Sequence, residues 1–307
     1  MKQTVAQKLT DILEEENVLL NEPMKNHTSF RIGGNADVLV LPKTVKQLRQ
    51  VLELAKENAV PFCVIGNGSN LLVSDRGIRG IVIQIYRNMS QVSIDGTTVT
   101  AQAGILLSRL AKEAAARTLT GLEFAAGIPG TLGGAVVMNA GAYGPEMKDV
   151  VTQVTYLDEA AEVRSIAVES CGFGYRTSRF SDNNCIVLEA QMELAQGVLE
   201  DIRAKMEDLG QRRSSKQPLE LPSAGSTFKR PAGDFAGRLI EEAGLKGFQI
   251  GGAAVSEKHS GFVVNLGGAT AGDVRALIAY VQRTVKEKFD ILLEPEVKML
   301  GDFSDNH

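Results

Sequence analysis

Cysteine and histidine are scarce in this chain, with three of each among its 307 residues. The cysteines are Cys63, Cys171 and Cys185. They are odd in number and widely separated, and no Cys-x-x-Cys pair occurs, which argues against a disulfide framework and a zinc site. The histidines are His27, His259 and His307. No two histidines have metal-ligand spacing, so we predict no metal site. The isolated cysteines are predicted to be buried or inert thiols.

Long apolar runs are also lacking. No stretch approaches the roughly 20 apolar residues that a membrane-spanning helix needs. The N-terminal sequence MKQTVAQKLTDILEEENVLL contains acidic residues and has no uninterrupted apolar core, so it does not resemble a signal peptide. These features predict a cytoplasmic protein that does not insert into a membrane.

Positive charge is not in excess, because 33 Lys and Arg residues face 37 Asp and Glu residues and the formal net charge is −4. General nucleic-acid binding needs a basic surface, so we predict no nucleic-acid partner. Individual arginines and lysines could still bind an anionic small molecule.

Several common catalytic motifs are absent. Gly66-Asn67-Gly68-Ser69-Asn70 is not the dinucleotide fingerprint, because the following LLVSDRG predicts a strand or loop and not a helix. No Gly-x-Ser-x-Gly sequence frames a serine, which argues against a Ser-His-Asp hydrolase. The phosphate-loop lysine motif is missing as well, which argues against a nucleoside triphosphatase.

Periodicity predicts a chain of mixed helices and strands. Helices are predicted at 3–16, 44–58, 105–118, 198–216, 234–243 and 271–288, with Thr44 as an N-cap and Thr270 with Asp273 as a capping box. Strands are predicted at 61–66, 80–86, 91–94, 97–103, 150–157, 162–168, 185–194, near 248–255 and 261–266, and at 291–300.

The chain length predicts about two domains at roughly 150 residues each. Composition changes near residue 197, where a polar helix begins. We predict a nucleotide-type domain over 1–196 with two lobes, about 1–57 and 58–196, and a smaller α/β domain over 197–289. The closing segment, 290–307, is expected to return to the first domain.

Glycine is concentrated in two segments. The first is the 66–70 loop, where consecutive amides could surround a phosphate. The second, residues 127–144, holds six glycines in 18 residues beside Ala135, Val136, Val137 and Met138. Two such segments suit a dinucleotide cofactor better than a single phosphate. The alternatives remain a turn without ligand at the first segment and close packing without cofactor at the second.

Three side chains are candidates for chemistry, and none is convincing alone. Arg176 follows flexible backbone and could hold a carboxylate, although an arbitrary arginine is more often in a surface salt bridge. Ser226 lies between a glycine and Thr227-Phe228, where a turn hydroxyl is the alternative. Glu296 lies on the predicted last strand, where an apolar flank could raise its pKa, although a solvated glutamate is commoner.

Six motifs together resemble one family. In order along the chain they are HTSFRIGGNAD, VIGNGSNLLVSDRG, AGIPGTLGGAVVMNAGAYG, FGYRTSRF, SAGSTFKRP and LEPEVKMLG. This set is similar to the UDP-N-acetylenolpyruvoylglucosamine reductases (UDP-N-acetylmuramate dehydrogenases) over about residues 27–301. Each motif is weakly specific, but six in order make chance a poor explanation.

The resemblance implies an α+β protein in which residues 1–196 form an FAD-binding domain of the vanillyl-alcohol oxidase type and residues 197–289 bind substrate. It implies non-covalent FAD, with NADPH as co-substrate, in an enzyme expected to be a monomer. NADPH would reduce FAD, and the hydride would then reach the enolpyruvyl group of UDP-N-acetylglucosamine enolpyruvate to give UDP-N-acetylmuramate for peptidoglycan.

The resemblance also assigns site residues. Arg176 and protonated Glu296 would stabilise developing charge, and Ser226 would donate the proton. Substrate contacts would be Tyr175, Lys216 and Arg230. FAD contacts would be Ile65, Gly66, Asn67, Gly68, Ser69, Asn70, Gly127, Pro129, Gly130, Thr131, Gly133, Gly134 and Ala135.

The sequence departs from the longer form of this family. That form has an insertion with a tyrosine after the YRxS region, whereas here Phe180 is followed within a few residues by the strand at 185, and Arg230 replaces an asparagine. Both features resemble the shorter subclass. Two other functions remain alternatives: an alcohol or hydroxy-acid oxidase on the same fold, and a nucleotide-sugar binder without activity.

Overall fold

The computed structural model describes residues 3–181 and 183–304. Helices and strands are both abundant, as expected of an α+β fold. The α-helices are α1 (Gln3–Leu13), α2 (Val45–Glu57), α3 (Leu107–Ala116), α4 (Leu132–Val137), α5 (Leu199–Lys216), α6 (Ala236–Glu242) and α7 (Ala271–Phe289). No helix of the described chain has the length and apolar content needed to cross a membrane. His307 and the end of the predicted 290–307 segment lie outside the described residues.

The strands are mostly short. They are β1 (Val18–Pro23), β2 (Asn35–Val40), β3 (Phe62–Ile65), β4 (Leu71–Val73), β5 (Ile78–Gln84), β6 (Val92–Asp95), β7 (Thr98–Gln102), β8 (Leu119–Thr120), β9 (Val151–Leu157), β10 (Val163–Ala167), β11 (Ile186–Glu193), β12 (Ala195–Gln196), β13 (Gln249–Ile250), β14 (Ala253–Val255), β15 (Val263–Asn265) and β16 (Lys298–Leu300). The two largest sheets have the orders β1-β2-β5-β3 and β10-β9-β11-β7-β6.

The described chain divides into two compact units, each made of separate segments. The first comprises the residues up to Leu19, Leu39–Asn67 and Ile81–Arg213. The second comprises Leu20–Val38, Gly68–Gly80 and the residues from Ser214 onward. The domains predicted from the sequence (1–196 with 290–307, and 197–289) rest on composition and resemblance and stay a prediction.

An antiparallel five-stranded sheet dominates the first unit. Its β6–β7 and β9–β10 pairs are the two predicted hairpins, and the first turns at Asp95-Gly96 as the sequence indicates. Strand β3 pairs in parallel with β5, with Phe62 opposite Ile81. Helix α2 buries Leu48, Val51 and Leu52 on one face, and Thr44 Oγ1 accepts the Gln47 amide as the predicted N-cap.

The core of the second unit lies between α6, α7 and the antiparallel sheet β13-β14-β15. Leu239, Val274, Leu277 and Val281 are among its fully buried side chains. Thr270 and Asp273 form the predicted capping box at the start of α7. Strand β16 pairs in parallel with β4, with Lys298 opposite Leu71.

The helix predicted at 3–16 and the strand predicted at 291–300 are shorter than expected. Helix α1 ends at Leu13 and not at residue 16, because residues 15–17 form a separate 3₁₀ turn after Glu14, whose φ is 69°. The predicted strand at 291–300 is a strand only at 298–300. Pro295 has no amide hydrogen to donate, which explains why regular pairing does not extend through it.

Candidate functional site

The structure places the backbones of Ser226 and Glu296 side by side in the second unit. Phe228 forms an antiparallel bridge with Pro295, and the Glu296 amide donates to the carbonyl of Thr227 at 2.8 Å. The Lys229 amide donates to the carbonyl of Glu294 at 2.8 Å. Two of the three catalytic candidates, which are 70 positions apart in the sequence, therefore lie in neighbouring segments of the chain that are hydrogen-bonded to each other.

The end of the first glycine-rich segment contacts the segment that contains Glu296. Asn70 Nδ2 donates to the carbonyl of Glu296 at 3.1 Å, and the Lys298 amide donates to the carbonyl of Asn70 at 3.0 Å. Asn70, a predicted cofactor contact, therefore helps to fix the backbone position of the predicted acid. Nothing in the spacing of the sequence indicated this connection.

Gly68 adopts a backbone that favours glycine. Its φ is 63°, and a Cβ at this position would collide with the carbonyl oxygen of His27. The Ser29 amide also donates to the Gly68 carbonyl at 3.2 Å. The HTSFRIGGNAD motif, within which His27 and Ser29 lie, therefore packs directly against the glycine loop.

The loop offers a donor set suited to phosphate. Within the described chain, the backbone amides of Gly68, Ser69 and Asn70 donate no hydrogen bond. Successive unpaired amides in a turn bind anions, because each presents a partial positive charge. The loop therefore fits a phosphorylated cofactor such as FAD.

In the first unit the two glycine-rich segments meet. Asn67 Nδ2 donates to the Pro129 carbonyl at 2.6 Å, and a Cβ on Gly66 would collide with Thr131 Oγ1. Gln84 Nε2 donates to the Gly66 carbonyl at 3.0 Å. Ile65, the last residue of β3 and the residue before Gly66, is buried. The two segments are therefore in contact, and that both serve one cofactor site stays a prediction.

Packing explains some of these glycines but not all. A Cβ on Gly133 would lie 2.9 Å from the Cβ of Ala103, so the interior of the protein requires glycine there. A Cβ on Gly134, which is exposed, would meet only Thr131 Oγ1 at 3.7 Å. Packing therefore does not account for Gly134, and close approach of a ligand gives a reason for it.

Arg176 and Tyr175 lie in the first unit. Arg176 donates through Nη2 to the carbonyl of Gly141 at 3.3 Å, and its guanidinium lies 5.2 Å from the centroid of the Tyr175 ring. The Tyr175 side chain is largely exposed, at 49%. The FGYRTSRF motif is thus joined to the second glycine-rich segment.

Left-handed backbone is concentrated around this contact. Asn139, Tyr143 and Arg176 have φ of 45°, 58° and 54°. Buried Asn139 donates through Nδ2 to the carbonyl of Gly174 at 3.0 Å, which fixes the two segments together. Each non-glycine residue in left-handed backbone raises the free energy of the folded state by about 1 kcal/mol or more. A cluster of such residues is typical of functional sites.

Arg213 is a candidate that the sequence analysis missed. It is half-buried, and within the described residues its guanidinium makes no hydrogen bond or ion pair. Burial lowers the pKa of Arg213, and Tyr143 acts against this shift. A Cβ on Gly127 would lie 3.2 Å from Arg213 Cδ, so this cation borders the second glycine-rich segment.

A signal for Arg213 was present in the sequence of α5. Arg212 pairs with Asp208 four residues earlier, at 2.9 Å. The residues four and three positions before Arg213 are Leu209 and Gly210, so the preceding turn of the helix contains no acid that could pair with it. A desolvated arginine without an acid is a binding group for an anion.

The other substrate candidates lie in the second unit. Lys216 is the exposed last residue of α5, and its charge helps to lower the pKa of His259, although burial is the main cause. Arg230 is exposed, and its guanidinium lies 3.9 Å from the centroid of the Phe235 ring. No cluster of three or more His, Cys, Asp or Glu side chains in the described parts of the chain could hold a metal ion.

Two family models match the sequence. Residues 36–167 match the model described as FAD binding domain. Residues 217–300 match the model described as UDP-N-acetylenolpyruvoylglucosamine reductase, C-terminal domain. The first match contains the glycine-rich loops, and the second contains Ser226 and Glu296.

Known proteins resemble the chain over nearly its whole length. A UDP-N-acetylenolpyruvoylglucosamine reductase of Caldanaerobacter subterraneus subsp. tengcongensis is 53% identical, over 98% of this chain and 100% of that protein. The crystal structure of UDP-N-acetylenolpyruvylglucosamine reductase from Thermus caldophilus superposes with a TM-score of 0.79 at 36% identity, over 92% of this chain and 98% of that one.

A more distant structure is similar in fold alone. Alkyldihydroxyacetonephosphate synthase superposes with a TM-score of 0.50 at 16% identity, over 64% of this chain and 41% of that one.

Proposed function

This chain belongs to the UDP-N-acetylenolpyruvoylglucosamine reductase family, and from that premise we propose that it reduces the enolpyruvyl group of UDP-N-acetylglucosamine enolpyruvate. The product would be UDP-N-acetylmuramate, a precursor of peptidoglycan. The chain is an oxidoreductase of the flavoprotein class, with the predicted α+β fold of the vanillyl-alcohol oxidase type. The observation that carries the proposal is the attachment of the Asn70 side chain to the Glu296 backbone, which ties a cofactor loop to the proposed acid.

The residues proposed to hold FAD are the two glycine-rich segments. The unpaired amides of Gly68, Ser69 and Asn70 would bind phosphate oxygens, and the open position at Gly134 would let the cofactor approach. The other proposed contacts are Ile65, Gly66, Asn67, Gly127, Pro129, Gly130, Thr131, Gly133 and Ala135. When bound, FAD would supply the hydride, received from NADPH, that reduces the substrate.

Arg176 and Glu296 are proposed to stabilise the charge that develops during reduction. Addition of hydride to the terminal carbon of the enol ether moves negative charge onto the substrate carboxylate. A fixed guanidinium and a protonated carboxyl aimed at that charge lower the barrier, and losing one such group costs about 3–4 kcal/mol. The hydrogen bond from Arg176 Nη2 to the Gly141 carbonyl, at 3.3 Å, restricts the direction of this side chain.

Ser226 is proposed to protonate the adjacent carbon. A serine hydroxyl is a weak acid, so this step requires a strongly basic carbanion held close to Oγ. Ser226 Oγ donates to the carbonyl of Phe228 at 3.3 Å, a long hydrogen bond that the hydroxyl can leave when substrate binds. Turnover would then return the proton to Oγ from solvent.

Tyr175, Lys216 and Arg230 are proposed to contact the nucleotide sugar. Lys216 and Arg230 are exposed cations of the second unit, which suits them to a diphosphate. Arg213 of the first unit is proposed separately as an anion-binding group beside Gly127. We place the reaction in the cytoplasm, where NADPH and nucleotide sugars are available.

An absorption experiment tests the proposed function. Purified protein should be yellow, lose colour with NADPH under anaerobic conditions, and regain it when UDP-N-acetylglucosamine enolpyruvate is added. A colourless protein that binds UDP-sugar would indicate a binder without activity. Return of colour only with oxygen would indicate an oxidase.

A further inference from the structure

A buried asparagine joins the second glycine-rich segment to the turn that carries Arg176. Asn139 is fully buried and lies two residues beyond α4, in the first unit. Its Nδ2 donates to the Gly174 carbonyl at 3.0 Å and to Glu146 Oε2 at 2.9 Å, and its Oδ1 accepts the Lys148 amide at 3.0 Å. We infer that Asn139 is a positioning residue that holds Arg176 at a fixed place relative to α4. The inference rests on the proposed function and extends it to a residue outside the set assigned from the sequence.

The backbone of Asn139 completes the end of α4. The Ala140 amide donates to the Ala135 carbonyl at 2.8 Å, the Asn139 amide donates to the Val136 carbonyl at 3.2 Å, and the φ of Asn139 is 45°. These are the two hydrogen bonds of a Schellman motif, in which the left-handed residue is usually glycine. Glycine would suit this backbone at least as well, so the helix end by itself does not explain an asparagine. The hydrogen bonds of its side chain do.

Arg176 lies in a tight turn that Asn139 holds at its base. Gly174 and Thr177 form an antiparallel bridge, and Arg176 is one of the two residues between them. Because the Gly174 carbonyl accepts from Asn139, the turn cannot shift relative to α4 without breaking a buried hydrogen bond. Arg176 Nη2 also donates to the carbonyl of Gly141, two residues beyond Asn139. The backbone and the side chain of Arg176 are therefore both tied to the segment that follows α4.

This connection matters because of what α4 is proposed to bind. The helix contains Gly133, Gly134 and Ala135, which are proposed FAD contacts. In the proposed reaction the hydride passes from the flavin to the substrate, so a guanidinium that stabilises the developing charge must be fixed relative to the flavin. A displacement of about 1 Å in such a group can slow a reaction about 100-fold. Asn139 supplies a short, buried link between the two.

Three variants test the inference: Asn139→Gly, Arg176→Met and the double variant Asn139→Gly/Arg176→Met. Glycine keeps the left-handed helix end and removes only the side chain. Stopped-flow absorbance would follow reduction of the flavin by NADPH and its reoxidation by UDP-N-acetylglucosamine enolpyruvate. Titration with FAD and thermal unfolding check the cofactor site and folding.

Asn17→Gly is the matched control. Asn17 is also a buried asparagine of the first unit, and its Nδ2 donates to the Leu13 carbonyl at 2.9 Å. None of its described hydrogen bonds reaches the Arg176 turn. The control therefore removes a buried amide with a structural role and leaves the link from α4 to Arg176 in place.

The expected result is confined to one half-reaction. Asn139→Gly should slow reoxidation by substrate about 10- to 100-fold and leave flavin reduction and the dissociation constant of FAD nearly unchanged. Asn17→Gly should match the wild type in both half-reactions. In the Arg176→Met background, Asn139→Gly should cause no further slowing, because it acts through Arg176.

Three outcomes would overturn the inference: an unchanged rate of reoxidation in Asn139→Gly, an equal loss in both half-reactions, or effects of the two substitutions that add. If Asn139→Gly does not fold, Glu146→Ala decides, because it removes one partner of the Asn139 side chain at a half-buried residue. Slower reoxidation alone would then support the inference, and an unchanged rate would overturn it.

The proposed function is checked separately. Turnover of the wild type is measured first, so that absence of the reaction counts against the proposed function. Normal reoxidation in Arg176→Met would overturn the charge-stabilising role of Arg176 and the positioning role of Asn139 with it. Slow reoxidation in Arg176→Met beside a normal rate in Asn139→Gly would overturn the role of Asn139 alone.

Discussion

At the scale of single residues, two neighbouring glycines have different reasons to be glycine. The packing of Ala103 requires Gly133, whereas space remains beside Gly134 for a side chain. The distinction separates a structural requirement from a ligand requirement within one motif. Sequence alone treats the two positions alike.

Alanine at these two positions should therefore have opposite effects. Gly134→Ala should leave the stability of the FAD-free protein unchanged or raise it by up to about 1 kcal/mol, because alanine favours helix. It should nonetheless weaken FAD binding. Gly133→Ala should destabilise the FAD-free protein. Urea unfolding and flavin titration of both variants measure the two effects, and equal loss of stability would contradict the assignment.

Ser226 has a role that half-reactions can isolate. Ser226→Ala should leave reduction of the flavin by NADPH nearly intact and slow its reoxidation by substrate by orders of magnitude, because only the second step needs the proton. Stopped-flow absorbance follows each half-reaction separately. A similar loss in both half-reactions would show that Ser226 is not the proton donor.

At the scale of elements, α5 is anchored by a buried carboxylate. Glu123 is 3% exposed, and it accepts hydrogen bonds from Thr120 Oγ1 at 2.5 Å and the Gly121 amide at 3.0 Å, with Lys205 of α5 at 3.5 Å. Burial opposes ionisation of Glu123, but these contacts outweigh it and lower its pKa. The carboxylate thereby links α5 to the loop that leads into the second glycine-rich segment.

Removing the Glu123 carboxylate should lower the free energy of unfolding more than removing the charge of Lys205. Glu123→Ala leaves the half-buried Gly121 amide without its partner and should lower the free energy of unfolding by about 1–3 kcal/mol. Lys205→Met, at a mostly exposed residue, should cost no more than about 1 kcal/mol. Urea unfolding measures both, and a larger loss for Lys205→Met would assign the stability to the ion pair.

The capping box of α7 predicts a pH dependence. Backbone hydrogen bonds from Thr270 and Gly252, and the Thr270 side chain, lower the pKa of Asp273 below its ordinary 3.8 against the opposing effect of burial. Because the folded state favours the charged form, this contribution is complete above the ordinary pKa. It is lost as the pH falls through the lower folded-state pKa.

Asp273→Asn should accordingly destabilise the protein by about 1 kcal/mol at pH 7. The difference from wild type should shrink below the ordinary pKa, as the wild-type carboxylate is protonated. Urea unfolding at a series of pH values follows this difference. Asp201→Asn, in the first turn of α5, removes a charge without removing a described hydrogen bond and serves as the control. A difference that is constant with pH would exclude the charged cap as its cause.

At the scale of the whole molecule, cofactor binding should be coupled to folding. A ligand that binds only the folded protein stabilises it, by about 2.7 kcal/mol at 100 times its dissociation constant. Protein stripped of FAD should unfold at a lower urea concentration. Added FAD should raise its free energy of unfolding in proportion to the logarithm of the FAD concentration. Riboflavin, which lacks the diphosphate, should restore much less. Equal effects of the two would argue against phosphate binding by the glycine loops.

The sequence by itself determined much of the local structure. Helical spacing located α2, α3 and α7, because buried positions recur every three to four residues in each of them. The caps at Thr44 and Thr270 were readable because the hydrogen bonds that form them join residues three apart. The order of six motifs predicted the family, and the comparisons with known proteins confirmed it.

Tertiary structure alone decided the contacts that build the site. The bridge from Phe228 to Pro295 and the hydrogen bond from Asn70 to Glu296 depend on how the chain folds in space. Helix and turn periodicity reports only neighbours a few residues apart. Pairing between distant segments instead reflects the packing of whole elements, so these partners could not be read from spacing.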